Sequence, residues 1–434
     1  MPRLARARGL LLTLVLAVTV SAFGAIFARV FRESILYTLK HVGGNKSATE
    51  VAQRSHRVVV FVLVTAGLLL AAWVGRVAQR WRHERLGLNA VAEAARGVGT
   101  GPSLSGTVVR SAGTWVAMAS LASLGREAAI LETGGSFGAW LARKMRRPTA
   151  DLASTGIAAA FAAAYHAPIS AFVYVREHVV HAPGRRTMAC ALAGGVLGFL
   201  ISIQFLGGAT VFPRGRHPLG TDSFVHAVVG LVPALMATRL FFWLRQRVTP
   251  RGLPAPETTR VWLRSLGFAL VGGAVVALVP LTAGNGMEAI RQGAPSATAV
   301  TGATIGFALA LCLGKLIGTT ASLGSGAPGG VFSPSMAVAS GAALLCFEGL
   351  AKAGVTLPGS HWDGMLAAMS VGIAVGTRTP LVGIVVVAEL AWDIRLVPVC
   401  AFSVGGAWLI EKGVQRLLPK LRAEVAIEAV ALDG

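Results

Sequence analysis

Charged residues are scarce in this chain of 434 residues. They make up 14% of the sequence, against about 25% in soluble domains, while 54% of the residues are hydrophobic even before the 53 glycines are counted. A soluble protein needs a charged surface, so this composition excludes an ordinary soluble enzyme and a disordered tail. The apolar stretches are long and do not alternate with polar residues, which predicts an all-α integral membrane protein.

Cysteine is also rare, and recognisable catalytic patterns are absent from the sequence. The four cysteines, at positions 190, 312, 346 and 400, lie apart in apolar stretches. They predict buried thiols, and neither a metal site nor a disulfide framework. No GxxxxGK[ST] phosphate-binding loop and no nucleophile–base pattern occurs in the sequence. The sequence therefore predicts neither an enzyme nor an ATP-driven pump, and no metal or cofactor.

Acidic residues are outnumbered by basic ones, 19 against 40, which gives a formal net charge of +21. Such a charge can indicate a nucleic-acid partner. Here the basic residues cluster between apolar runs, as the positive-inside rule predicts for cytoplasmic loops, so we expect a lipid bilayer and no nucleic acid as partner. The clusters lie at residues 76–85, 185–186 and 239–251.

The uncharged runs differ in length. Several match the roughly 20 residues of a spanning helix, and others are too short to span alone. This mixture favours broken or re-entrant helices, as in transporters with a site at mid-membrane. The long runs are 9–28, 58–75, 152–175, 187–213, 265–287, 292–314 and 316–347, and the short ones are 111–125, 364–377, 379–388 and 396–410.

The first run follows Arg3, Arg6 and Arg8. A cleavable signal peptide with a small-residue site at 21–25 is one interpretation. We favour a retained first membrane helix, because the run is long for a signal peptide and further spanning segments follow.

An internal repeat links two distant segments. Residues 165–178 read YHAPISAFVYVREH, and residues 377–390 read TRTPLVGIVVVAEL. At an offset of 212, Pro168 aligns with Pro380 and Glu177 with Glu389. The offset is about half the chain, so the sequence predicts two related halves. The residues themselves leave open whether the halves are parallel or inverted.

Charged side chains within the apolar region are functional candidates, because each costs about 2.5–3.5 kcal/mol at mid-membrane on insertion scales. For Glu132, Lys315 and Arg378 we favour a wetted or paired position at a helix end. Glu127 follows Gly125 and precedes helix-forming residues, which predicts a helix start whose free N–H groups bind anions. The candidates are Arg126, Glu127, Glu132, Glu177, Lys315, Arg378 and Glu389.

The segment 324–334, GSGAPGGVFSP, is rich in glycine and proline inside a long uncharged run. This composition is unfavourable for a helix, and unwound backbone at membrane depth must be buried in protein or line a cavity. Its N–H groups can then face an anion. A glycine-rich helix-packing interface is the alternative, which the two prolines fit poorly.

Together these motifs resemble the CLC family of chloride channels and proton–chloride antiporters. Gly125-Arg126-Glu127 is similar to the family's GREGP motif, and the segment 324–334 to its GxPGGxFxP motif. The resemblance covers about residues 10–415. It implies a single transmembrane domain with an inverted-repeat fold, halves near 10–210 and 220–415, and a short tail at 416–434. It also implies a homodimer with an anion pathway in each subunit, in a bacterial inner membrane.

The resemblance further implies roles for individual residues. Glu127 matches a gating glutamate whose carboxylate competes with chloride. The backbone N–H groups of Val331 and Phe332 match those of the central anion site, with Gly330 beside them. Glu177 falls where antiporters carry an internal proton-transfer glutamate. The expected anion site is completed by Arg126 and Ala128.

Three departures from the family pattern stand out, and the last two concern the inner half of the pathway. Ala128 and Ala129 replace a Gly and a Pro of GREGP. Leu86 stands where the family usually has an anion-binding serine, so a hydroxyl donor is lost. The late tyrosine that usually closes the inner side has no counterpart, since the only tyrosines are Tyr37, Tyr165 and Tyr174. The departures leave the anion open among chloride, fluoride and nitrate.

The resemblance implies transport of chloride or another small inorganic anion, by exchange with protons. Glu127 would be the gate, and Glu177 would relay protons from the cytoplasmic side. A passive, voltage- or pH-gated chloride channel of the same fold is the alternative. A secondary transporter for an organic substrate or a cation and a structural membrane scaffold are further interpretations.

Overall fold

A computed structural model of the chain describes residues 2–45, 47–82, 84–180, 184–206, 211–212, 220–249, 258–293 and 302–432. Within these ranges the chain is almost wholly helical, and its only β pairing is a bridge between Gly125 and Gly330. The first half contains α1 (Pro2–Gly43), α2 (Ala48–Arg54), α3 (Arg57–Arg82), α4 (Leu88–Ala95), α5 (Leu104–Ala119), α6 (Glu127–Lys144), α7 (Thr149–Tyr165), α8 (Pro168–Tyr174) and α9 (Arg185–Leu206).

The second half has a similar succession of long and short helices. Short π-helical segments follow α8 at Val175–Val180 and precede α14 at Ala310–Gly314, and a 3-10 turn spans Pro280–Thr282. The helices are α10 (Thr221–Val248), α11 (Thr259–Leu278), α12 (Met287–Gly293), α13 (Gly302–Leu309), α14 (Lys315–Gly324), α15 (Phe332–Lys352), α16 (His361–Thr377), α17 (Pro380–Ala391) and α18 (Leu396–Leu432).

Eight helical stretches in the described ranges are long and apolar enough to cross a membrane, judged by length and composition. Large apolar side chains on the outer helices, such as Val62 of α3 and Leu263 of α11, are exposed, as expected of surfaces that face lipid. The prediction of an all-helical, multi-pass membrane protein is therefore confirmed. The bounds of the two halves, 10–210 and 220–415, stay a prediction, and the segment predicted as a tail continues α18 up to Leu432.

The uncharged run 152–175 does not form one helix. It breaks at His166, which has a left-handed backbone (φ 54°), and α8 then begins at Pro168. The second copy of the repeat breaks in the same way at Arg378 (φ 58°), before Pro380 begins α17. Proline disfavours a helical conformation in the residue before it. The two repeats therefore share their backbone geometry as well as their sequence.

Small residues bring α6 and α7 close together. A Cβ atom on Gly156 would lie 2.1 Å from the carbonyl oxygen of Gly134, and one on Gly138 would lie 2.0 Å from that of Leu152. In a membrane, backbone approach of this kind provides most of the packing between helices. The crossing fixes the position of α6, whose first residue is Glu127.

Buried hydroxyl groups join α5 to the other side of α6. Ser111 and Thr133 share a hydrogen bond of 2.9 Å, and Thr107 and Ser136 share one of 3.0 Å. Each hydroxyl satisfies its partner, so these polar side chains can be buried without an unpaired donor. Helix α6 is thus held by backbone contacts on one side and by hydroxyl pairs on the other.

Candidate functional site

Two loops from opposite halves of the chain meet at Gly125 and Gly330. The Gly125 N–H donates to the Gly330 carbonyl oxygen at 2.9 Å, and the Gly330 N–H donates to the Gly125 carbonyl oxygen at 2.6 Å. A Cβ on Gly125 would lie 2.9 Å from the Gly330 oxygen. The approach therefore requires residues without side chains. Both glycines belong to the motifs that the sequence singled out.

A helix begins two residues after each of these glycines. Helix α6 starts at Glu127 and α15 at Phe332, and no side-chain hydrogen bond from the preceding residue caps either start. The first N–H groups of a helix have no acceptor within it and carry a partial positive charge. Two anion-attracting termini therefore converge on one place. This arrangement brings together Glu127, Ala128, Gly330, Val331 and Phe332.

The Glu127 side chain lies in this place, buried to 5% exposure. Its Oε1 accepts hydrogen bonds from Ser333 Oγ and, at 3.3 Å, from Asn285 Nδ2. Its Oε2 has no hydrogen-bond partner among the described residues, and a Cβ on Gly330 would lie 3.0 Å from it. One carboxylate oxygen is thus held by side chains, while the other lies beside the bridge between Gly125 and Gly330.

A second hydroxyl stands behind Ser333. Tyr165 Oη lies 3.4 Å from Ser333 Oγ, and because Ser333 donates to Glu127, the tyrosine is the donor to Ser333. The Tyr165 ring packs at a tilt against the Phe332 ring, with centroids 5.3 Å apart. The sequence predicted that the site lacks the late tyrosine of the family pattern. A tyrosine nevertheless reaches the site, from the end of α7 in the first half.

Asn285 reaches Glu127 from a tight turn before α12. The turn is held by Lys315, which is fully buried and donates hydrogen bonds to the carbonyl oxygens of Thr282 and Gly284. Asn285 Oδ1 also accepts from the Met287 N–H at 3.2 Å. Lys315 is therefore neither wetted nor paired with a carboxylate, and its ammonium is satisfied by backbone carbonyls. The sequence predicted the turn at 284–286, but nothing in it indicated that the Asn285 side chain contacts Glu127.

The chain matches the family model described as voltage gated chloride channel over residues 66–412. It belongs to this family. The family, CLC, consists of channels and transporters. The structural and sequence motifs around Gly125 and Gly330 fall within the matched range.

Named relatives include both channels and exchangers. The chain is 30% identical over 399 residues to the putative chloride channel protein ClcB-like of Ralstonia nicotianae, covering 88% of this chain and 90% of that protein. It is 27% identical over 342 residues to the H(+)/Cl(-) exchange transporter ClcA of Klebsiella pneumoniae, covering 70% of this chain and 68% of that protein.

Solved structures agree on the CLC fold. A slow cyanobacterial Cl-/H+ antiporter superposes with a TM-score of 0.73 at 17% identity, covering 95% of this chain and 98% of that one. A CLC-type fluoride/proton antiporter gives a TM-score of 0.70, also at 17% identity, covering 93% and 96%. At this identity the likeness concerns the fold.

Arg126 directly precedes Glu127, the predicted gate of this CLC chain, but its side chain lies among other residues than the Glu127 carboxylate. It lies within electrostatic range of Arg32 and Arg291, and together with Arg29 it lines a small cavity beside α1 and α7. The basic side chains outnumber the two carboxylates beside them, Glu33 and Glu288, so the cluster is positively charged.

Glu177 lies apart from the residues around Glu127. Its carboxylate accepts hydrogen bonds from the N–H groups of Leu381 and Val382, at 3.1 and 3.0 Å, in the first turn of α17. In the described part of the chain, its carboxylate makes no hydrogen bond to Glu127, Ser333 or Asn285. The relay role of Glu177 stays a prediction, and its carboxylate acts as a cap of α17 in this structure.

The position of Leu86, where the family usually has an anion-binding serine, still precedes a helix. Leu86 is buried, and Gly87 (φ 118°) leads directly into α4. A helix terminus is therefore present where the family resemblance placed a serine, and no hydroxyl at position 86 accompanies it. A cavity of about 300 Å³ lies near this helix start, because Arg110, which lies beside Gly87, is one of its lining residues. The segment 324–329 and the side chains of Arg76, Arg245 and Arg264 also line it.

Proposed function

We propose that this CLC protein exchanges chloride or another small inorganic anion for protons. The observation that carries the proposal is the position of the Glu127 carboxylate, which lies buried between two helix N-termini with only Oε1 held by side chains. A carboxylate there occupies a place that suits an anion. Both cannot be in that place at once, so anion entry and carboxylate binding compete.

Protonation of Glu127 decides which of the two, the carboxylate or the anion, occupies the place between the helix starts. A protonated Glu127 has lost the charge that the helix termini attract, so it can leave and an anion can take its place. The bound anion is held by backbone N–H groups at the starts of α6 and α15, around Ala128, Val331 and Phe332. When the proton leaves, the carboxylate returns and expels the anion. One cycle of this kind couples anion movement to proton movement.

Flux measurements in proteoliposomes test the exchange. A chloride gradient imposed on the wild-type protein is expected to drive proton movement in the opposite direction, and fluoride and nitrate are compared with chloride under the same conditions. In Glu127→Gln the side chain keeps its size but no longer ionises, so proton movement is expected to stop. Proton movement that persists in Glu127→Gln rules out the gating role.

A passive chloride channel is the second candidate, and the buried Leu86 favours it. Without a hydroxyl at that position the inner side of the pathway has one fewer donor for an anion, and anions can slip past without a proton. One relative named above is called a chloride channel. The reversal potential under a pH gradient separates the two candidates, because a pure channel ignores the pH gradient and an exchanger does not.

We also propose that the protein is a homodimer in a bacterial inner membrane. Apolar side chains on α8 and α17, including Ile169 and Leu381, are about half exposed on neighbouring helices. In a dimer, this apolar face of one copy can pack against the same face of a second copy, so that both are buried. The mass of the protein in detergent, measured by light scattering, tests the proposal, and a monomeric mass would contradict it.

A further inference from the structure

The start of α4 carries a carboxylate that the exchange cycle proposed above does not use. The N–H of Leu88, the first residue of α4, donates a hydrogen bond to Glu132. Glu132 is only 2% exposed, and its Oε2 has no hydrogen-bond partner among the described residues. A negative group at this point interacts favourably with the helix terminus. The side chain comes from α6, five residues after Glu127.

The equivalent place in the second half lacks such a group. Gly286 (φ 94°) leads into α12 as Gly87 leads into α4. A Cβ on Gly286 would lie 3.0 Å from the Cβ of Ala337. Ala337 stands as far after the bridging Gly330 as Glu132 stands after the bridging Gly125. The second half thus has a methyl group where the first has a carboxylate.

The basic residues beside these two turns are also equivalent. Arg110 precedes Gly125 by the same interval as Lys315 precedes Gly330. A Cβ on Gly87 would lie 3.7 Å from Arg110 Nη2 and 3.9 Å from Glu132 Oε1. The two halves therefore build the same turn with a cation beside it, and Glu132 is the addition that is specific to the first half.

Arg110 connects Glu132 to the basic cavity. Its Nη1 lies 3.7 Å from Glu132 Oε2, and the same side chain lines the cavity of about 300 Å³. Among the described residues, Tyr174 of α8 also lies within electrostatic range of Glu132. An anion that enters the cavity therefore contacts Arg110 first. The start of α4, where the Glu132 carboxylate lies, is on the far side of Arg110.

We propose that Glu132 is a tethered anion that occupies an inner site for the transported anion at the start of α4. The side chain holds that site in the way that an entering halide would, with the Leu88 N–H on one side and Arg110 on the other. It is a second gate in the same subunit, on the side of the basic cavity. This inference rests on the proposed anion transport.

Bromide makes the site visible without any measurement of transport. In crystals grown with bromide, Glu132→Gln and Glu132→Ala are each expected to show an anomalous peak within hydrogen-bond distance of the Leu88 N–H. The wild-type protein is expected to show none there. Alanine is the residue that the second half has at the equivalent position, Ala337. Glu132→Ala is therefore the second variant to use if Glu132→Gln does not fold. The absence of the peak in the folded variants overturns the proposal.

Chloride flux tests the gate itself. Removal of the competing carboxylate is expected to raise the chloride flux of Glu132→Gln by about tenfold, the size of effect typical of one lost charge-assisted hydrogen bond. The control is Glu93→Gln, the same change at an exposed position of α4, and it is expected to leave the flux unchanged. Equal flux in Glu132→Gln and wild type contradicts the gate. A wild-type protein that moves no anion contradicts the proposed function instead, and the bromide peak still decides the role of Glu132.

Discussion

Glu177 and Glu389 each accept two backbone hydrogen bonds from the first turn of the helical segment that carries the other glutamate. The distances are 3.1 and 3.0 Å for Glu177, and 2.9 and 2.8 Å for Glu389. A reciprocal contact of this kind is what a two-fold axis between the repeats produces. Each carboxylate also lies at a helix N-terminus, where negative charge is favourable. The pair therefore joins the two halves of the chain.

Neutralising one of these carboxylates is expected to destabilise the protein. Glu177→Gln keeps one acceptor oxygen but loses the charge, and charged hydrogen bonds contribute about 1.5–3 kcal/mol each. We expect a loss of about 1–3 kcal/mol, measured as a lower unfolding temperature in detergent. Glu389→Gln is the matched variant and is expected to cost at least as much, because Glu389 also accepts a hydrogen bond from the Ser170 hydroxyl.

The same variant tests the relay role predicted for Glu177. If Glu177 carries protons, Glu177→Gln loses proton movement as well as lowering the unfolding temperature. If Glu177 is a cap alone, the unfolding temperature falls and the ratio of protons to anions is unchanged. Glu389→Gln separates the two effects further, since no relay role was predicted for it.

Much of the fold could be predicted from the sequence, because it depends on local composition. The unwound segment at 325–331 follows from its glycines and proline, and the break before Pro168 and Pro380 follows from the geometry of proline. The place of Glu127 at a helix start also follows from the residues around it. Each of these features depends on a few residues that are adjacent in the sequence, so it can be predicted from the sequence without knowledge of the tertiary packing.

The partners of Glu127 could not be predicted in the same way. Asn285 and Ser333 lie 158 and 206 residues from it along the chain, and only the packing of the two halves brings them together. Glu132 shows the same limit: its burial and its contact with Leu88 depend on the placement of α4 against α6. Likewise, the repeat predicted two related halves, but the reciprocal caps depend on how those halves dock.

Removing the Ser333 hydroxyl is expected to raise chloride flux. The hydroxyl donates to Glu127 Oε1, and a hydrogen bond to a charged group contributes about 1.5–3 kcal/mol. In Ser333→Ala the carboxylate is held less firmly, so an anion displaces it more readily, and chloride flux is expected to rise about tenfold. Ser335→Ala is the control, because the Ser335 hydroxyl donates to the Phe332 carbonyl oxygen instead. A flux that rises equally in both variants contradicts the prediction.

Replacing Asn285 by aspartate is expected to have a larger effect in the same direction. The change keeps the oxygen that accepts from Met287 and replaces the amide that donates to Glu127 with a second carboxylate. Two carboxylates at this distance repel each other, so the Glu127 carboxylate leaves its place more readily. Asn285→Asp is therefore expected to raise chloride flux by more than Ser333→Ala. Gln292→Glu, the same chemical change on α12 beside Thr49, is expected to leave the flux unchanged.

Adding one methyl group at the crossing of α6 and α7 is expected to disturb the protein more than adding one on an outer helix. In Gly156→Ala the new Cβ would lie 2.1 Å from the Gly134 carbonyl oxygen, so the helices must move apart, at a cost of about 1–3 kcal/mol. In Gly267→Ala on α11 the Cβ meets nothing within 4 Å, and alanine favours the helix by up to about 1 kcal/mol. Unfolding temperatures in detergent are expected to fall for the first variant and to hold or rise for the second. Because α6 begins at Glu127, a displaced α6 also moves the gate, and Gly156→Ala is expected to lower chloride flux even where it remains folded.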